Sequence, residues 1–431
     1  MIGLNRKLSE LYKNGGKIRV GLVGAGQMGK GMIAQIQNMK GMEVVATADL
    51  FSDNALKAFA AAGVQENRIK LTSDRDAADN AIASGCVVAT TNADVIPHLD
   101  NVDVIVDATG SPNAGAHIAW HAILNKKHIV MLNVETDVTI GPLLKKMADA
   151  AGVVYTGSAG DEPGAIMELY DFSEAIGFEI VALGKGKNNP LNVQATPETV
   201  AEEAKSKGAS PKMLASFQDG TKTMVEMTAV ANATGFVPDV RGMHGPKATL
   251  AELPELFTVK ENGGLLNRKR VVDYVNGVAP GVFAIITTDR EDIHSIMRYL
   301  KMGNGPNYVL YRPYHLTSLE TPLSIARAYF YGEPTIAPYC GLVAETVAVA
   351  KKSLKAGEPF DGIGGYTAYG LIMTAEERKR TNALPIGVIG PNIRLKRDVP
   401  QGTVITYDDV EIVESSMIVQ LRQLMEQMLQ Q

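Results

Sequence analysis

The stretch GLVGAGQMG, residues 21–29, decides the fold class of the first part of this chain. It follows the apolar run KIRV and leads into QMGKGMIAQIQNM, where apolar residues recur at helical spacing. A Gly-x-Gly-x-x-Gly turn between a strand and a helix bends tightly, lets the backbone approach a pyrophosphate, and packs the helix close to the strand. The turn therefore predicts a dinucleotide site at the helix N-terminus. The predicted cofactor contacts here are Gly24, Gly26, Gln27, Met28 and Gly29.

The alternation of strand and helix patterns continues from this turn to about residue 157. A second apolar run is MEVVATADL, and further runs are VDVIVDATG, HIVMLN and VVYTGSAG, each after a helical pattern. Strands that alternate with helices predict a parallel sheet covered on both faces. We therefore assign residues 1–157 to a Rossmann-type dinucleotide-binding domain of the α/β class.

The second strand of this domain ends on Asp49, twenty residues after Gly29. In this fold an acid at that distance hydrogen-bonds the ribose of the adenosine half, and its charge disfavours a 2′-phosphate. NAD is therefore favoured over NADP as the cofactor. The alternative is a carboxylate that only stabilises the turn before the next helix.

Two later strand ends are also candidates for cofactor binding. DATGSPNAGA follows one apolar run and NVETD follows the next. The carboxyl ends of parallel strands form the edge at which ligands collect in such sheets. The alternative is that these polar strand ends only hydrogen-bond to neighbouring loops. The candidate residues are Thr109, Gly110, Asn133 and Glu135.

Residues 158–335 mix strands, glycine turns and helical patterns, which predicts a central α+β domain whose late helix can pack back on the Rossmann domain. Three of its loops are rich in polar residues: AGDEPGA, GKGKNNPLN and YRPYHLTSLE. Lysines beside glycines suit a phosphate or carboxylate ligand, and cations near a nicotinamide suit polarisation of a carbonyl. The candidates in these loops are Asp161, Glu162, Lys185, Lys187, Asn188, Asn189, Arg312, His315 and Ser318.

Lys222 and Glu226 lie four residues apart in DGTKTMVEM and would share one face of a helix. They can form an ordinary ion pair within the helix. They can equally be a catalytic lysine oriented by a carboxylate. The sequence leaves both interpretations open.

Residues 340–431 show a third pattern, in which glycine turns lead into short strands. Two segments, VAKKSLKAGEPFD and IRLKRDVPQGTVITYDDVEI, resemble each other weakly and predict a small β domain. The final segment, SMIVQLRQLMEQMLQQ, predicts an amphipathic helix whose apolar face packs on a partner surface. That predicted face consists of Met417, Leu421, Leu424 and Met428.

Composition narrows the class of protein. The chain has 431 residues and a formal net charge of -5, with no Lys/Arg-dense stretch, so we expect no nucleic-acid partner. The polar N-terminus and the absence of an apolar run of about 20 residues predict no signal peptide and no membrane partner. The two cysteines have no metal-ligand or redox spacing. These features together predict a cytoplasmic, multidomain protein.

Several of these segments also carry a family resemblance. Most of residues 17 to 330 resembles the homoserine dehydrogenase-like NAD(P)-dependent oxidoreductases, and is most similar to the 1-deoxy-D-xylulose 5-phosphate reductoisomerase-like subgroup. Residues 340–431 resemble a SAF-type β-clip domain. The segments that carry the main resemblance are GLVGAGQMG, NVETDVTIGP, AGDEPG, GKGKNNPLN, DGTKTMVEM, GMHGP and YRPYHLTSLETPLSIAR.

The resemblance implies a nicotinamide cofactor, a central domain for catalysis and dimerisation, and a homodimer. It also implies that Lys185, Lys187, Asn188, Asn189, Arg312 and His315 contact the substrate. A reductoisomerase of this kind generally needs a divalent metal, for which Asp161, Glu162 and Glu226 are the available carboxylates; no ligand spacing in the sequence demands one. Such an enzyme uses NADPH, whereas Asp49 is followed by no basic residue before Lys57.

The hypothesis from the sequence is an NAD(P)-dependent oxidoreductase that acts on a small polyhydroxylated, anionic substrate. Lys222 or Lys185 would polarise the reacting oxygen, with Glu226 and Asp161 as further catalytic candidates. The other substrate-binding candidates are Glu162 and Ser318. The alternatives are a homoserine dehydrogenase-like or sugar-acid dehydrogenase and, in another class, a dinucleotide-binding sensor without catalysis.

Overall fold

The computed structural model of the protein describes residues 3–428, and the chain divides into two compact units. Unit 1 comprises Met1–Asp161, Leu316–Ala337 and Met417–Gln431. Unit 2 comprises Glu162–His315 and Pro338–Ser416. Within the described range, no helix is both long and apolar enough to cross a membrane.

The strands and helices are numbered along the chain. The strands are β1 (Ile18–Val23), β2 (Met42–Ala48), β3 (Ile69–Leu71), β4 (Val87–Thr90), β5 (Val104–Asp107), β6 (His128–Met131), β7 (Tyr155–Gly157), β8 (Glu179–Lys187), β9 (Val237–Pro238), β10 (Val271–Asn276), β11 (Val282–Thr287), β12 (Asn307–Arg312), β13 (Ala344–Ala350), β14 (Ala368–Thr374), β15 (Ile393–Leu395) and β16 (Val410–Ile412). The helices are α1 (Leu4–Lys13), α2 (Gln27–Gln37), α3 (Ser52–Ala61), α4 (Arg75–Ala83), α5 (Pro112–Leu124), α6 (Val134–Ala151), α7 (Glu162–Ala175), α8 (Ala201–Lys207), α9 (Pro211–Gln218), α10 (Thr221–Thr234), α11 (Leu253–Leu256), α12 (Glu291–Tyr299), α13 (Thr321–Tyr331), α14 (Ala375–Thr381) and α15 (Met417–Met428).

Unit 1 is built on a seven-stranded sheet in the order β3-β4-β2-β1-β5-β6-β7. Every pairing in this sheet is parallel, and the order reverses direction at β1, where the glycine turn begins. The apolar runs read from the sequence are buried strands because helices cover both faces of a parallel sheet. The predicted Rossmann-type sheet is confirmed.

Two later helices belong to unit 1. Helix α13 contributes Ile325 and Ala326 to the same apolar core as β1 and α2. Helix α15 packs on α5 and α6. Both helices therefore complete a unit whose sheet strands lie about 160 residues or more before them in the sequence.

The apolar face predicted for α15 is only partly buried within the chain. Leu421 is buried, but Leu424 and Met428 are 39% and 36% exposed. Arg422 is buried instead, where its guanidinium donates to the carbonyl oxygen of Thr139 at 3.0 Å. A periodicity of apolar residues misses this face because one of its central members is a charged residue with a buried partner.

Unit 2 contains a five-stranded mixed sheet in the order β12-β11-β8-β10-β9. Strand β8 pairs in parallel with β10 and antiparallel with β11. Helices α7 and α10 pack on this sheet, and one apolar core also takes in Ala344 of β13 and Ile372 of β14. The hairpin β13–β14 thus shares a core with the central sheet. The division of the chain into three domains stays a prediction.

Helix α10 lies at the centre of unit 2. Every residue from Thr221 to Thr234 is buried except Lys222, which is half-buried. A helix that is buried all round belongs to a core, so its polar residues need partners there. Glu226 is one of these buried polar residues.

Candidate active site

The glycine turn of unit 1 has the geometry that its three glycines predict. Gly24 has a φ of 100°, and a Cβ there would lie 2.6 Å from the carbonyl oxygen of Ala108. A Cβ at Gly29 would lie 1.9 Å from the carbonyl oxygen of Gly24, so α2 approaches the turn as closely as glycine allows. Gly26 is exposed, and a Cβ there would meet no atom within 4 Å. The open side at Gly26 is where a pyrophosphate can approach the N-terminus of α2.

Asp49 lies directly beside this turn. Its Oδ2 accepts a hydrogen bond from the backbone N–H of Ala25 at 2.8 Å. Its Oδ1 accepts from the backbone N–H of Phe51 at 3.0 Å and from Asn54 Nδ2 at 2.9 Å. Asp49 therefore stabilises the turn, as the alternative interpretation has it, while half-buried at the position where the ribose interpretation places it. Its contact with ribose stays a prediction.

The ends of β5 and β6 form one hydrogen-bonded network. Asp107 is fully buried, and its Oδ1 accepts from both the backbone N–H and the hydroxyl of Thr109. Asn133 Nδ2 donates to Asp107 Oδ2 at 3.0 Å and to the carbonyl oxygen of Ser111 at 2.8 Å. Burial raises the pKa of Asp107 to about 6 although these hydrogen bonds lower it. The network fixes the loop that carries the exposed Gly110, and Glu135 lies buried in the first turn of α6.

In unit 2, three elements bring charged groups together around Lys185. Its Nζ donates to Glu162 Oε1 at 2.5 Å and also to Glu226 Oε2. Lys185 lies near the end of β8, Glu162 begins α7, and Glu226 lies within α10. All three side chains are at most 13% exposed. This group is called the Lys185 cluster below.

The cluster sets the protonation of its members. Burial lowers the pKa of Lys185, but the charges of Glu162 and Glu226 outweigh it and raise that pKa above the ordinary value. Burial and the charge of Glu162 raise the pKa of Glu226 to about 7, against the lowering effects of Lys185 and Lys222. Lys185 therefore stays protonated, while Glu226 can exchange a proton near neutral pH.

The sequence of β8 explains why its lysines face this cluster. Lys185 and Lys187 alternate with Gly184 and Gly186, so both lysines point to one face of the sheet. On the other face, a Cβ at Gly184 would lie 2.3 Å from the ring of Phe283, and one at Gly186 would lie 2.2 Å from the backbone of Ala279. Glycine is needed at both positions because the ring of Phe283 and the backbone of Ala279 approach β8 closely there.

Lys187 ends β8 and is 6% exposed. Its Nζ donates to the carbonyl oxygen of Phe217 at 2.8 Å. Burial, followed by the charge of Lys185, lowers the pKa of Lys187 to about 8. Asn188 and Asn189 come directly after the strand, the first exposed and the second half-buried.

The third polar loop also reaches the Lys185 cluster. His315 Nε2 lies 3.4 Å from Glu162 Oε1, the same oxygen that accepts from Lys185. Arg312 pairs with Glu168 at 3.1 Å, and its guanidinium lies 4.7 Å from the ring centre of Tyr314. The sequence candidates that unit 2 brings together are thus Glu162, Lys185, Glu226 and His315, with Lys187 two residues further along β8.

Three other candidates have different surroundings. Lys222 lies one turn before Glu226 on α10, close enough for its charge to lower the pKa of that carboxyl. Asp161 is buried at the end of a unit 1 segment and directly precedes Glu162. Ser318 belongs to unit 1, where a Cβ on Gly31 of α2 would lie 3.3 Å from its hydroxyl. The structure therefore associates Ser318 with the dinucleotide-binding unit.

Glu162 and Glu226 are the carboxylates of unit 2 that a divalent metal would use. Both accept hydrogen bonds from the ammonium group of Lys185, which already supplies a positive charge between them. A divalent ion and the ammonium group of Lys185 would therefore compete for the same carboxylate oxygens.

The sequence interpretation missed two buried residues close to these groups. Asp219, just before α10, and Lys351, just after β13, lie 2.7 Å apart as an ion pair. A signal for Asp219 exists, since an acid just before a helix can accept a hydrogen bond from one of the first N–H groups of that helix. Lys351 gives no such signal because it is one of two adjacent lysines, and Lys352 is 52% exposed.

Two family models of oxidoreductases match two successive ranges of the chain. A family model described as "Homoserine dehydrogenase, NAD binding domain" matches residues 24–155. A second one, described as "Oxidoreductase DRL, catalytic domain", matches residues 160–321. No curated protein matches the sequence at a significant level.

Solved structures show weaker similarity. A probable dehydrogenase from Thermotoga maritima has 13% identity and a TM-score of 0.43, and the match covers 75% of this chain and 92% of that one. A myo-inositol dehydrogenase from Corynebacterium glutamicum has 14% identity and a TM-score of 0.40, with 73% and 89% covered. The two family matches, with the fold of unit 1, show that the protein is an NAD(P)-dependent oxidoreductase.

Proposed function

We propose that this enzyme interconverts a hydroxyl and a carbonyl group of a small polyhydroxylated, anionic substrate, with NAD(H) as the favoured cofactor. Unit 1 binds the dinucleotide, and unit 2 supplies the groups that act on the substrate. The observation that carries the proposal is the Lys185 cluster, a buried ammonium held by two carboxylates. Glu162, a member of the cluster, and His315, which lies 3.4 Å from it, are two of the residues at which the chain passes from one unit to the other.

Lys185 is proposed to polarise the reacting oxygen. An ammonium group has three protons, and two of those of Lys185 go to Glu162 and Glu226. The third can donate to the substrate oxygen, where it stabilises the negative charge that develops during hydride transfer. The raised pKa of Lys185 suits this role, because the group stays charged throughout.

Glu226 is proposed to move the proton. In the oxidation direction, the C–H bond of the substrate breaks and the hydride goes to the nicotinamide, while the hydroxyl proton goes to a base. A pKa of about 7 allows Glu226 to accept that proton at neutral pH and to return it in the reduction direction. Lys222 and Asp161 stay as further catalytic candidates.

The anionic end of the substrate is proposed to bind at Lys187. Its ammonium lies two residues beyond Lys185 on the same face of β8, next to the exposed loop with Asn188 and Asn189. Arg312 and His315 are the other cationic candidates of unit 2. A phosphate or a carboxylate would suit these donors.

The first experiment is a substrate panel. The enzyme is incubated with polyols, sugar acids and phosphorylated hydroxy acids, each with NAD⁺ and NADP⁺, and NAD(P)H formation is followed by absorbance. We expect turnover with an anionic polyhydroxylated compound and a preference for NAD⁺. Turnover restricted to neutral or non-hydroxylated compounds would contradict the substrate class.

A second candidate function is a 1-deoxy-D-xylulose 5-phosphate reductoisomerase-like reaction. The match of residues 160–321 to the DRL catalytic domain and the resemblance of the polar loops favour it. Asp49 argues against the NADPH that this reaction would need, and Lys185 would compete with the metal for the carboxylates of Glu162 and Glu226. The protein is incubated with 1-deoxy-D-xylulose 5-phosphate, NADPH and either Mg²⁺ or Mn²⁺. This experiment separates the two candidates, since only a reductoisomerase would consume NADPH with this substrate.

The same resemblance supports two proposals about assembly. Residues 340–431 are proposed to be a SAF-like β-clip domain plus a C-terminal helix, and the protein is proposed to form a homodimer. Light scattering coupled to size-exclusion chromatography tests the second. A mass of about twice the 46.1 kDa of one chain is expected, and a mass of one chain would contradict it.

A further inference from the structure

A buried lysine outside the Lys185 cluster, Lys351, is connected through Asp219 to α10, the helix that carries Glu226. Lys351 is 1% exposed and directly follows β13. Its Nζ donates to the carbonyl oxygens of Ala195 at 2.6 Å and Gly365 at 2.8 Å, and pairs with Asp219 Oδ2 at 2.7 Å. Two hydrogen bonds and one ion pair thus hold this ammonium group against three oxygens.

Asp219 also contacts the start of α10. Its Oδ1 accepts a hydrogen bond from the backbone N–H of Thr221 at 2.8 Å, at the first residue of the helix. The first N–H groups of a helix have no partner within it, so a carboxylate there fixes where the helix starts. Gly370 of β14 adds a second link, since its backbone N–H donates to the Thr221 hydroxyl at 2.8 Å.

The same short segment also holds Lys187. The carbonyl oxygen of Phe217, two residues before Asp219, accepts the hydrogen bond from Lys187 Nζ. Burial lowers the pKa of Lys187, and Asp219 is close enough for its negative charge to oppose that effect. The segment from Phe217 to Thr221 therefore joins Lys187, the start of α10 and Lys351.

We propose that Lys351 is a positioning residue, which acts through Asp219 to place the start of α10 and the carbonyl oxygen that holds Lys187. The proposal rests on the proposed function in one respect, namely that Lys187 binds the substrate. It gives the segment after β13 a role in the active site, although this segment lies 132 residues from Asp219 in the sequence.

A buried ion pair of this kind is poorly explained by stability alone. Taking two charges out of water costs free energy that their attraction only partly returns, and well-packed apolar residues often stabilise a protein as much. What the pair adds is a fixed geometry, because the ammonium must meet three oxygens at once. An apolar residue would fill the space without fixing the position of Asp219.

The test compares Lys351→Met with Lys351→Arg and with Lys352→Met, the matched change at the exposed neighbour. The titration of Lys187 is measured by competitive labelling with acetic anhydride at several pH values, followed by peptide mass spectrometry. In Lys351→Met, we expect water to reach the loosened segment and the pKa of Lys187 to rise by about one pH unit. Such a rise lowers the free-amine fraction at pH 7 about tenfold.

Lys351→Arg keeps the charge and the donors, so most of the wild-type titration should return; Lys352→Met should leave it unchanged. A folded Lys351→Met protein with the wild-type titration of Lys187 would overturn the proposal. If that variant does not fold, Lys351→Gln, which keeps a donor but loses the charge, is judged by the same measurement.

Labelling needs no substrate, so this outcome is separate from the proposed function. If Lys187→Met keeps full activity, the substrate role of Lys187 fails, whatever the titration in Lys351→Met shows. With a substrate in hand, Lys351→Met should raise KM at least tenfold more than it lowers kcat, while the Kd for NADH stays unchanged. A loss of kcat alone would contradict a role through Lys187.

Discussion

The glycine turn of unit 1 and the Lys185 cluster of unit 2 are both polar sites, but they are built in opposite ways. The turn is made by residues next to each other in the sequence, from Gly24 to Gly29, with Asp49 directly after the adjoining strand. The cluster joins residues 23 and 41 positions apart, on three different elements. The first geometry follows from local backbone rules, whereas the second exists only when a whole core has formed.

The largest expected effect concerns Glu226 in the cluster. Glu226→Gln keeps the shape and a hydrogen-bond acceptor for Lys185 but cannot take a proton. We expect turnover to fall about 10²–10⁴-fold, the usual contribution of a general base. In the wild type, the rate of oxidation should fall below about pH 7, because burial raises the pKa of Glu226 and its protonated form is not a base.

That pH limb is the readout specific to the role of Glu226. It should be missing from the kcat profile of Glu226→Gln, measured from pH 5 to 9. A variant that loses activity but keeps the limb would assign the base to another group, with Lys222 or Asp161 next in line.

The next effect concerns the local geometry of the turn. A side chain at Gly29 would collide with the backbone of Gly24, whereas one at Gly26 would meet no protein atom within 4 Å. We expect Gly29→Ala to weaken NADH binding at least hundredfold and to lower Tm. Gly26→Ala should leave Tm unchanged and weaken NADH binding about tenfold, because its methyl group enters the space of the pyrophosphate.

Isothermal titration with NADH and a thermal melt check both glycine variants. Full NADH affinity in Gly26→Ala would show that the dinucleotide does not pass over this turn.

A substitution of Asp49 tests whether this residue sets the preference for NADH over NADPH. Asp49→Ser removes the charge that would face a 2′-phosphate. The ratio of the Kd for NADPH to that for NADH should fall about tenfold or more. Asp53→Ser, on the exposed first turn of α3, is the matched control. A wild type that binds NADPH more tightly than NADH would refute the cofactor preference itself.

The smallest expected effect concerns the stability of unit 1 and a buried carboxyl, Asp137, to which no catalytic role is assigned. Asp137 is buried, burial raises its pKa to about 6, and the hydroxyl of Tyr155 donates to it at 2.8 Å. Below the unfolded pKa of about 4, both states are protonated; between about 4 and 6 only the unfolded state ionises, so stability falls as pH rises.

Asp137→Asn stays neutral at every pH. It should therefore stabilise unit 1 by about 1–3 kcal/mol at pH 8 and by little at pH 4. Tm of wild type and variant against pH checks this, and an equal difference at both pH values would contradict it.

The sequence predicted the parallel sheet and the glycine turn because both depend on patterns within a few residues. It also named Glu162, Lys185 and Glu226 one by one, but it could pair Glu226 only with Lys222, its neighbour on the same helix. The partner found in the structure, Lys185, comes from a different element. Asp219 and Lys351 were missed for the same reason, since only the packing of β13 near α10 brings them together.

The central claim is that the Lys185 cluster acts on the substrate while unit 1 alone holds the cofactor. It is tested most directly by kcat and the Kd for NADH, measured side by side in Lys185→Met and in Lys269→Met, an exposed lysine of unit 2. We expect Lys185→Met to lose about 10²–10³-fold in kcat with a Kd within about twofold of the wild type, and Lys269→Met to change neither. A folded Lys185→Met enzyme with wild-type turnover would contradict the claim.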